Sequence, residues 1–177
     1  MTEEPTFTAE PATAREPRFT HLDAAGHARM VDVTAKQPTV REATAAGTVL
    51  CGPQVVAALR GGTVPKGDVL AVARVAGIAA AKRVPDLLPL AHVIGVHGVV
   101  LDVTVADHGV DLVATVRTAD RTGVEMEALT AVSVAALAVV DMVKGLDKGV
   151  RIADVRLEAK SGGRSGDWRR PADGGDV

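Results

Sequence analysis

The chain has 177 residues, a formal net charge of −2 and a single cysteine, Cys51. This length predicts one domain, and the near-zero charge removes the general attraction to nucleic acid or membrane surfaces that a strongly basic chain would have. One cysteine excludes an intramolecular disulfide framework and a cysteine-based zinc cluster. No apolar run reaches the roughly 20 residues of a membrane helix, and the acidic amino terminus has no apolar signal segment. We therefore expect a cytoplasmic protein.

Aromatic residues are nearly absent. The chain has no Tyr, and its only aromatic side chains are Phe7, Phe19 and Trp168. The core is therefore predicted to consist of Ala, Val, Leu and Ile, which bury less area per residue, so burial between subunits would add stability. So few aromatic side chains also argue against single-stranded nucleic acid as a partner, because such proteins stack bases on aromatic rings.

Composition divides the chain into three parts. Residues 1–17 contain three prolines among Thr, Ala and Glu, which predicts a disordered extension. Residues 18–168 form the predicted domain. Residues 169–177 read RRPADGGDV and predict a flexible tail.

The first half of the domain predicts short strands followed by helices. Met30–Val33 and Val40–Leu50 are the strand candidates. Gln54–Leu59 predicts a short helix that follows Pro53 and stops at Gly61-Gly62.

A longer helix is predicted next, over Val69–Arg83, with Asp68 as its N-cap. Pro85 should end this helix, because a proline disfavours helical geometry in the residue before it, here Val84.

The second half begins with a hairpin pattern. Apolar residues alternate with other residues from Val99 to Val105 and again from Val110 to Val116, around the turn residues Asp107-His108-Gly109. Glu125–Leu146 then predicts a long helix with an apolar stripe, and Val150–Leu157 predicts a last strand. This order indicates an α+β fold, specifically a ferredoxin-like antiparallel sheet with helices packed on one face.

The long helix carries three charged residues that its apolar stripe does not explain. Glu127, Asp141 and Lys144 project to about the same side at helical periodicity, and Asp141 and Lys144 are one turn apart. An Asp–Lys pair that is partly buried among other cations can transfer protons near neutral pH. An exposed ion pair with no catalytic role is the alternative.

Two further segments have the chemistry of anion binding. Lys66-Gly67-Asp68 can present an ammonium and backbone N–H groups at a helix start, or it is a solvated lysine before an N-cap. The segment from Lys160 to Gly166, KSGGRSG, can direct successive N–H groups at an anion, or it is a flexible linker. It does not match the phosphate-loop pattern of nucleotide-binding proteins.

Metal and nucleophile signals are weak. His92 and His97 are five residues apart without an acidic neighbour at ligand spacing, so each is predicted to be a hydrogen-bonded structural histidine, and no metal site is predicted. The chain has no Gly-x-Ser-x-Gly nucleophile elbow, and nothing in the sequence indicates an activated Cys51.

Taken together and in this order, several strings resemble the cyclic pyranopterin monophosphate synthase family, also known as molybdenum-cofactor biosynthesis protein C. The resemblance covers roughly residues 18–168. The strings that carry it are THLD from Thr20, MVDVTAKQPTVREATA from Met30, KGDVLAVARVAGIAAAKR from Lys66, DLLPLAH from Asp86, RTGVEMEALTAVSVAALAVVDMVKG from Arg121 and VRLEAKSGGRSGDW from Val155.

The resemblance implies a lyase that converts 3′,8-cyclo-7,8-dihydro-GTP into cyclic pyranopterin monophosphate with release of pyrophosphate. It also implies a ferredoxin-like fold assembled as a homohexamer, a trimer of dimers, with active sites between subunits. A radical SAM enzyme, GTP 3′,8-cyclase, would make the substrate. No redox cofactor is implied, and whether Mg²⁺ accompanies the triphosphate stays open.

The resemblance also implies roles for particular residues. Lys66, Asp141 and Lys144 would be catalytic. The predicted substrate-binding residues are His92, Glu125, Glu127, Lys160 and Arg41, of which Lys160 and Arg41 would contact phosphates.

The sequence departs from the family pattern around His92, which Ala91 and Val93 flank where the family usually has Cys and Pro, and at Arg164, where a Lys is common. Two rival functions stay open. One is a pterin- or nucleotide-binding module without turnover, and the other is an interaction protein whose hexamer is a structural hub.

Overall fold

The computed structural model describes residues 25–171, and the chain divides into two compact units, Met1–Val31 and Asp32–Val177. The predicted extension at residues 1–17 and the end of the predicted tail, residues 172–177, lie outside the described residues. The strand predicted at Met30–Val33 is wrong, because residues 29–33 are neither helix nor strand. The Asp32 carboxylate accepts hydrogen bonds from the N–H and hydroxyl of Thr34 (2.8 and 2.6 Å), which favours a turn.

The second unit contains one five-stranded sheet and four helices among its described residues. In chain order the elements are β1 Thr39–Leu50, α1 Pro53–Gly61, α2 Val69–Ala81, α3 Val84–Leu87, β2 Gly98–Ala106, β3 Gly109–Asp120, α4 Glu125–Val143, β4 Arg151–Ser161 and β5 Trp168–Arg169. The strand order is β2-β3-β1-β4-β5, and every pair is antiparallel. The predicted ferredoxin-like α+β fold is confirmed.

The β2–β3 hairpin agrees with its sequence pattern. Val105 pairs with Val110 and Ala106 with Gly109, so that Asp107 and His108 form the turn. Leu101 and Val103 on β2 are buried, whereas Val100, Asp102 and Thr104, which alternate with them, are exposed. The alternation therefore places one face of the hairpin in the core.

Helices α2 and α4 pack against each other and cover one face of the sheet. Gly77 permits this close approach, because a Cβ at that position would lie 2.7 Å from the Ala131 carbonyl oxygen. The buried core is mainly Val and Ala, with Leu112 its largest fully buried side chain. The predicted aliphatic core is therefore confirmed.

One prediction about the helices is wrong. Pro85 was expected to end a helix and to exclude helical geometry at Val84. Instead α2 ends at Ala81, and a separate short helix, α3, begins at Val84 with Pro85 in its first turn. A proline is tolerated there because the N–H that it lacks would have no helical partner.

Helix α4 is the one described helix that is long and apolar enough to cross a membrane. It is also the central helix of the core: its buried residues include Val132, Ala136 and Val139, which pack within the main hydrophobic cluster. Its hydropathy is therefore explained by burial against the sheet and α2.

Candidate functional site

Two lysines and a carboxylate meet at the carboxyl end of α4; Lys66, Asp141 and Lys144 are called the C-terminal cluster. Lys66 Nζ donates to the Asp141 backbone carbonyl (2.6 Å) and to Asp141 Oδ2 (3.1 Å). Lys144 Nζ lies 2.7 Å from Asp141 Oδ1. The ion pair expected from the spacing of Asp141 and Lys144 is present, and the fold adds Lys66 from 75 residues away.

The ends of two helices hold these side chains in place. Asp141 is in the last turn of α4, where backbone carbonyls have no helical partner and the helix dipole is negative, so the Lys66 ammonium is favoured there. Lys66 lies just before Asp68, whose carboxylate caps α2 by accepting a hydrogen bond from the Ala71 N–H (2.9 Å). The predicted N-cap is thus confirmed.

The C-terminal cluster carries a net positive charge. Hydrogen bonds from Lys144 and Lys66, with their positive charges, lower the pKa of Asp141, which is therefore ionised at neutral pH. The side chains of Lys66, Asp141 and Lys144 are 46%, 58% and 59% exposed. Two ammonium groups around one carboxylate can bind anionic oxygens and hold a proton acceptor among them.

A second set of predicted residues lies at the amino end of α4; Arg41, Glu125, Glu127 and Lys160 are called the N-terminal cluster. Lys160 Nζ donates to Ser165 Oγ (2.6 Å) and lies 3.5 Å from Glu125 Oε1. The side chains of Lys160 and Glu125 are 23% and 26% exposed, so this pair is more sheltered than the C-terminal cluster.

Glu127 is one of only two polar or charged residues buried within the described part of the chain, with 3% exposure. Burial, with a smaller contribution from the charge of Glu125, raises its pKa from 4.5 to about 7. Glu127 can therefore give or take a proton near neutral pH, which is the property a general acid or base requires.

Arg41 is held at the end of β1 by contacts with two other segments. Its Nε donates to the Asp120 backbone carbonyl (3.0 Å) at the end of β3. Its guanidinium lies against Gly163, where an added Cβ would overlap it, and Gly163 has a positive φ of 74°. Only glycine adopts that conformation readily and also leaves room for the guanidinium.

The KSGGRSG segment is an organised turn between β4 and β5. The Gly162 N–H donates to Asp167 Oδ1 (3.1 Å), and the Gly166 N–H donates to the Gly163 carbonyl (3.3 Å). These N–H groups thus already donate to acceptors in or next to the segment, while Lys160 and Arg41 supply the positive charge beside it.

His92 lies half-buried in the segment between α3 and β2. That segment is attached to the end of β3: the buried Thr118 hydroxyl donates to the Gly95 carbonyl (2.5 Å), and the Ala119 N–H donates to His97 Nδ1 (3.2 Å). His97 is thus a hydrogen-bonded structural histidine, as predicted.

Sequence reasoning did not identify the residues that hold this region together. Asp120 accepts two hydrogen bonds. Its backbone carbonyl accepts one from Arg41 Nε, and its Oδ2 accepts one from the Gly95 N–H (3.3 Å). Thr118 and Ser165 anchor the His92 segment and Lys160. Only the position of Asp120 between the predicted strand that ends at Val116 and Thr122-Gly123 could have indicated a role for it.

The two clusters are far apart within one chain. Glu125 and Asp141 are 16 positions apart on α4, which corresponds to about 24 Å along the axis. The sequence placed Glu127 and Asp141 on the same side of the helix, but Glu127 is buried and Asp141 is exposed. The fold brings Lys66, Asp141 and Lys144 together, and it brings Lys160 to Glu125, but it does not join the two clusters.

A cavity of about 360 Å³ opens beside Lys160. It is lined by residues from the ends of β1, β4 and β5: Glu42, Ala43, Thr44, Ala159, Lys160, Ser161, Asp167, Trp168 and Arg169. It is large enough for part of a small-molecule ligand.

The described residues contain no candidate metal cluster, and Cys51 shows no sign of activation. Within residues 25–171, no group of three His, Cys, Asp or Glu side chains is placed to hold a metal ion. Burial and the charge of Asp147 raise the pKa of the Cys51 thiol, which agrees with the sequence-based expectation that this cysteine is not activated.

Comparison with known proteins identifies the family. Residues 30–163 match the sequence profile of the MoaC family. The chain belongs to the MoaC family. This match contains both clusters, from Arg41 in β1 to Lys160 in β4.

Individual MoaC relatives are similar along nearly their whole length. A protein of Streptomyces avermitilis named cyclic pyranopterin monophosphate synthase is 62% identical over 160 residues, which are 90% of this chain and 94% of that protein. Proteins of the same name from Streptomyces coelicolor and Chloroflexus aurantiacus are 66% identical over 153 residues and 56% identical over 155 residues. These alignments cover 86% of this chain in both cases, and 90% and 95% of the two relatives.

Proposed function

We propose that this MoaC-family chain is a cyclic pyranopterin monophosphate synthase. It would convert 3′,8-cyclo-7,8-dihydro-GTP into cyclic pyranopterin monophosphate and pyrophosphate, as a lyase of molybdenum cofactor biosynthesis. The observation that carries the proposal is the C-terminal cluster, in which Lys66 and Lys144 flank the ionised Asp141. A cytoplasmic enzyme supplied by a radical SAM GTP 3′,8-cyclase fits this reaction.

The charges suit the phosphate chemistry of this reaction. Closing the cyclic phosphate requires a substrate hydroxyl to attack the α-phosphorus while the bond to the leaving pyrophosphate breaks. Lysine ammonium groups stabilise the negative charge that develops on the leaving group. The proposed chemistry needs no resident redox cofactor, and Mg²⁺, if used, would enter with the triphosphate.

The ring rearrangement requires proton transfers, and the two clusters offer different groups for them. Asp141 is a carboxylate held between Lys66 and Lys144, so it can accept a proton from a substrate that the two ammonium groups bind. Glu127 has a pKa of about 7, so both of its protonation states are populated near neutral pH. Repeated transfers need groups of both kinds.

We further propose that each active site combines the C-terminal cluster of one subunit with the N-terminal cluster of another, within a homohexamer built as a trimer of dimers. Two observations support this arrangement. The clusters are about 24 Å apart along α4 in one chain, which is longer than an extended nucleoside triphosphate. Apolar side chains such as Val75 (68% exposed), Val93 (88%) and Leu137 (57%) also lie at the surface, where a partner subunit would bury them.

A coupled assay tests the activity. Purified protein is given 3′,8-cyclo-7,8-dihydro-GTP, and pyrophosphate release is followed together with the fluorescent pterin that forms when the product is oxidised. Wild type should yield both products, whereas Lys66→Ala should yield neither. Lys82→Ala removes an exposed lysine at the end of α2 and is the matched control with full activity expected. A folded wild-type protein that binds the compound without releasing pyrophosphate would favour the binding-module alternative.

A further inference from the structure

Trp168 is the only aromatic side chain among the described residues, because the two phenylalanines lie at positions 7 and 19 and the chain has no tyrosine. It is 39% exposed and is not part of the main hydrophobic cluster. A large aromatic side chain that contributes little to the core and keeps much of its surface accessible is well suited to contact a ligand.

The position of Trp168 relates it to the proposed active site. Trp168 pairs with Lys160 across β4 and β5, so both side chains belong to the same face of the sheet. Both residues line the cavity of about 360 Å³. Lys160 in turn contacts Glu125 at the start of α4.

The indole ring is held in position before any ligand binds. The Arg170 guanidinium lies 5.8 Å from the ring centroid, which is within the range of a cation–π contact. Arg170 is itself fastened to β4, because its Nε donates to the Leu157 carbonyl and its backbone N–H donates to the Glu158 carbonyl, both at 2.8 Å. A ring that is already ordered loses little entropy when it stacks on a planar ligand.

We propose that Trp168 is a substrate-binding residue that stacks against the guanine-derived ring system of the substrate in this cavity. Lys160, beside it, would contact the charged part of the substrate. The inference rests on the proposed function and adds to it the residue that recognises the ring. Stacking of this kind tolerates changes at the edge of the ring, because it uses the π face.

Steady-state kinetics of pyrophosphate release on 3′,8-cyclo-7,8-dihydro-GTP test the inference in the full-length protein. Trp168→Ala should raise KM by roughly 5- to 150-fold, the range expected for one stacked base, while kcat changes much less. Trp168→Phe keeps an aromatic face and should recover most of the affinity. Ile152→Ala removes an exposed apolar side chain at the other end of β4 and should leave both constants unchanged.

Tryptophan fluorescence supplies a readout that a purely structural role would not change. The wild-type chain has one tryptophan, so its emission should be quenched as the site fills, after correction with free N-acetyltryptophanamide in the same solutions. Because it uses the wild-type protein, this measurement still tests whether Trp168 contacts the substrate if Trp168→Ala does not fold. Unchanged emission at saturating substrate, or an unchanged KM in a folded Trp168→Ala, would overturn the inference. Absence of turnover in wild type would instead overturn the proposed function.

Discussion

The two ends of α4 place charged side chains in opposite environments. At the carboxyl end, Asp141 and its two lysines are about half exposed, and the lysines lower the pKa of Asp141. At the amino end, Glu127 is 3% exposed and burial raises its pKa to about 7. One helix thus carries a carboxylate that stays ionised, Asp141, and a carboxyl group that titrates near neutrality, Glu127. The environment of each carboxyl group, not its residue type, therefore determines its protonation state.

The largest effect is expected at the exposed end. Asp141→Asn removes the proton acceptor between Lys66 and Lys144 and should lower turnover by about 10²- to 10⁴-fold, the usual contribution of a general acid or base. Its thermal midpoint should stay close to that of wild type, because exposed ion pairs contribute little to folding. Pyrophosphate release and thermal melts measure the two quantities.

The matched control for this variant is Asp102→Asn, which changes an exposed carboxylate on β2 and should alter neither quantity. A large drop in the melting temperature of Asp141→Asn would show that the C-terminal cluster has a structural role.

The buried end should control stability instead. Glu127 binds its proton more tightly in the folded chain, where its pKa is about 7, than in the unfolded chain, where it is near 4.5. Between pH 4.5 and about 7 the folded state therefore binds more protons than the unfolded state. The free energy of unfolding should fall as the pH rises through this range, by about 3 kcal/mol in total. Chemical denaturation of wild type at pH 5 and pH 8 measures this difference.

Glu127→Gln should abolish most of that dependence on pH and should be more stable than wild type at pH 8. Glu125→Gln is the comparison, because it removes a neighbouring carboxyl group that is less buried, and most of the dependence should persist. If the free energy of unfolding depends on pH equally in wild type and Glu127→Gln, Glu127 is not the group responsible for that dependence.

A smaller effect is expected at the loop that contacts Arg41. Gly163→Ala should raise KM several-fold, because the added Cβ displaces the Arg41 guanidinium and a non-glycine residue at positive φ costs about 1–2 kcal/mol. Gly166→Ala is the matched control: it has a similar φ of 66° and nothing within 4 Å of an added Cβ. If both variants raise KM equally, strain in the loop and not the position of Arg41 is responsible.

The sequence predicted the fold well where the pattern is local and repeated. The alternation from Val99 to Val116 predicted the hairpin, and the apolar stripe of α4 predicted the central helix, because burial on one face imposes that periodicity. It did not predict α3, where Pro85 lies in the first turn of a helix, or β5, whose two residues depend on pairing with β4. Such short elements are determined by tertiary contacts that no local pattern reports.

The site was predictable in part, for a similar reason. The spacing of Asp141 and Lys144 predicted their contact, because both lie on one helix. The contact of Lys66 with Asp141 joins residues 75 positions apart, and only the family resemblance pointed to a shared role for them. Periodicity gave the angle of Glu127 around α4 but not its burial, which depends on what packs against the first turn of the helix.

Subunit complementation tests the central claim most directly, that the two clusters act together across subunits. Lys66→Ala, which damages the C-terminal cluster, and Lys160→Ala, which damages the N-terminal cluster, are each expected to be nearly inactive. Co-expressed with different tags and purified as mixed oligomers, they should recover about a quarter of wild-type pyrophosphate release, because random pairing joins the two intact clusters in about one contact in four. Mixed oligomers no more active than the separate variants would contradict the shared site and would place both clusters' functions within single chains.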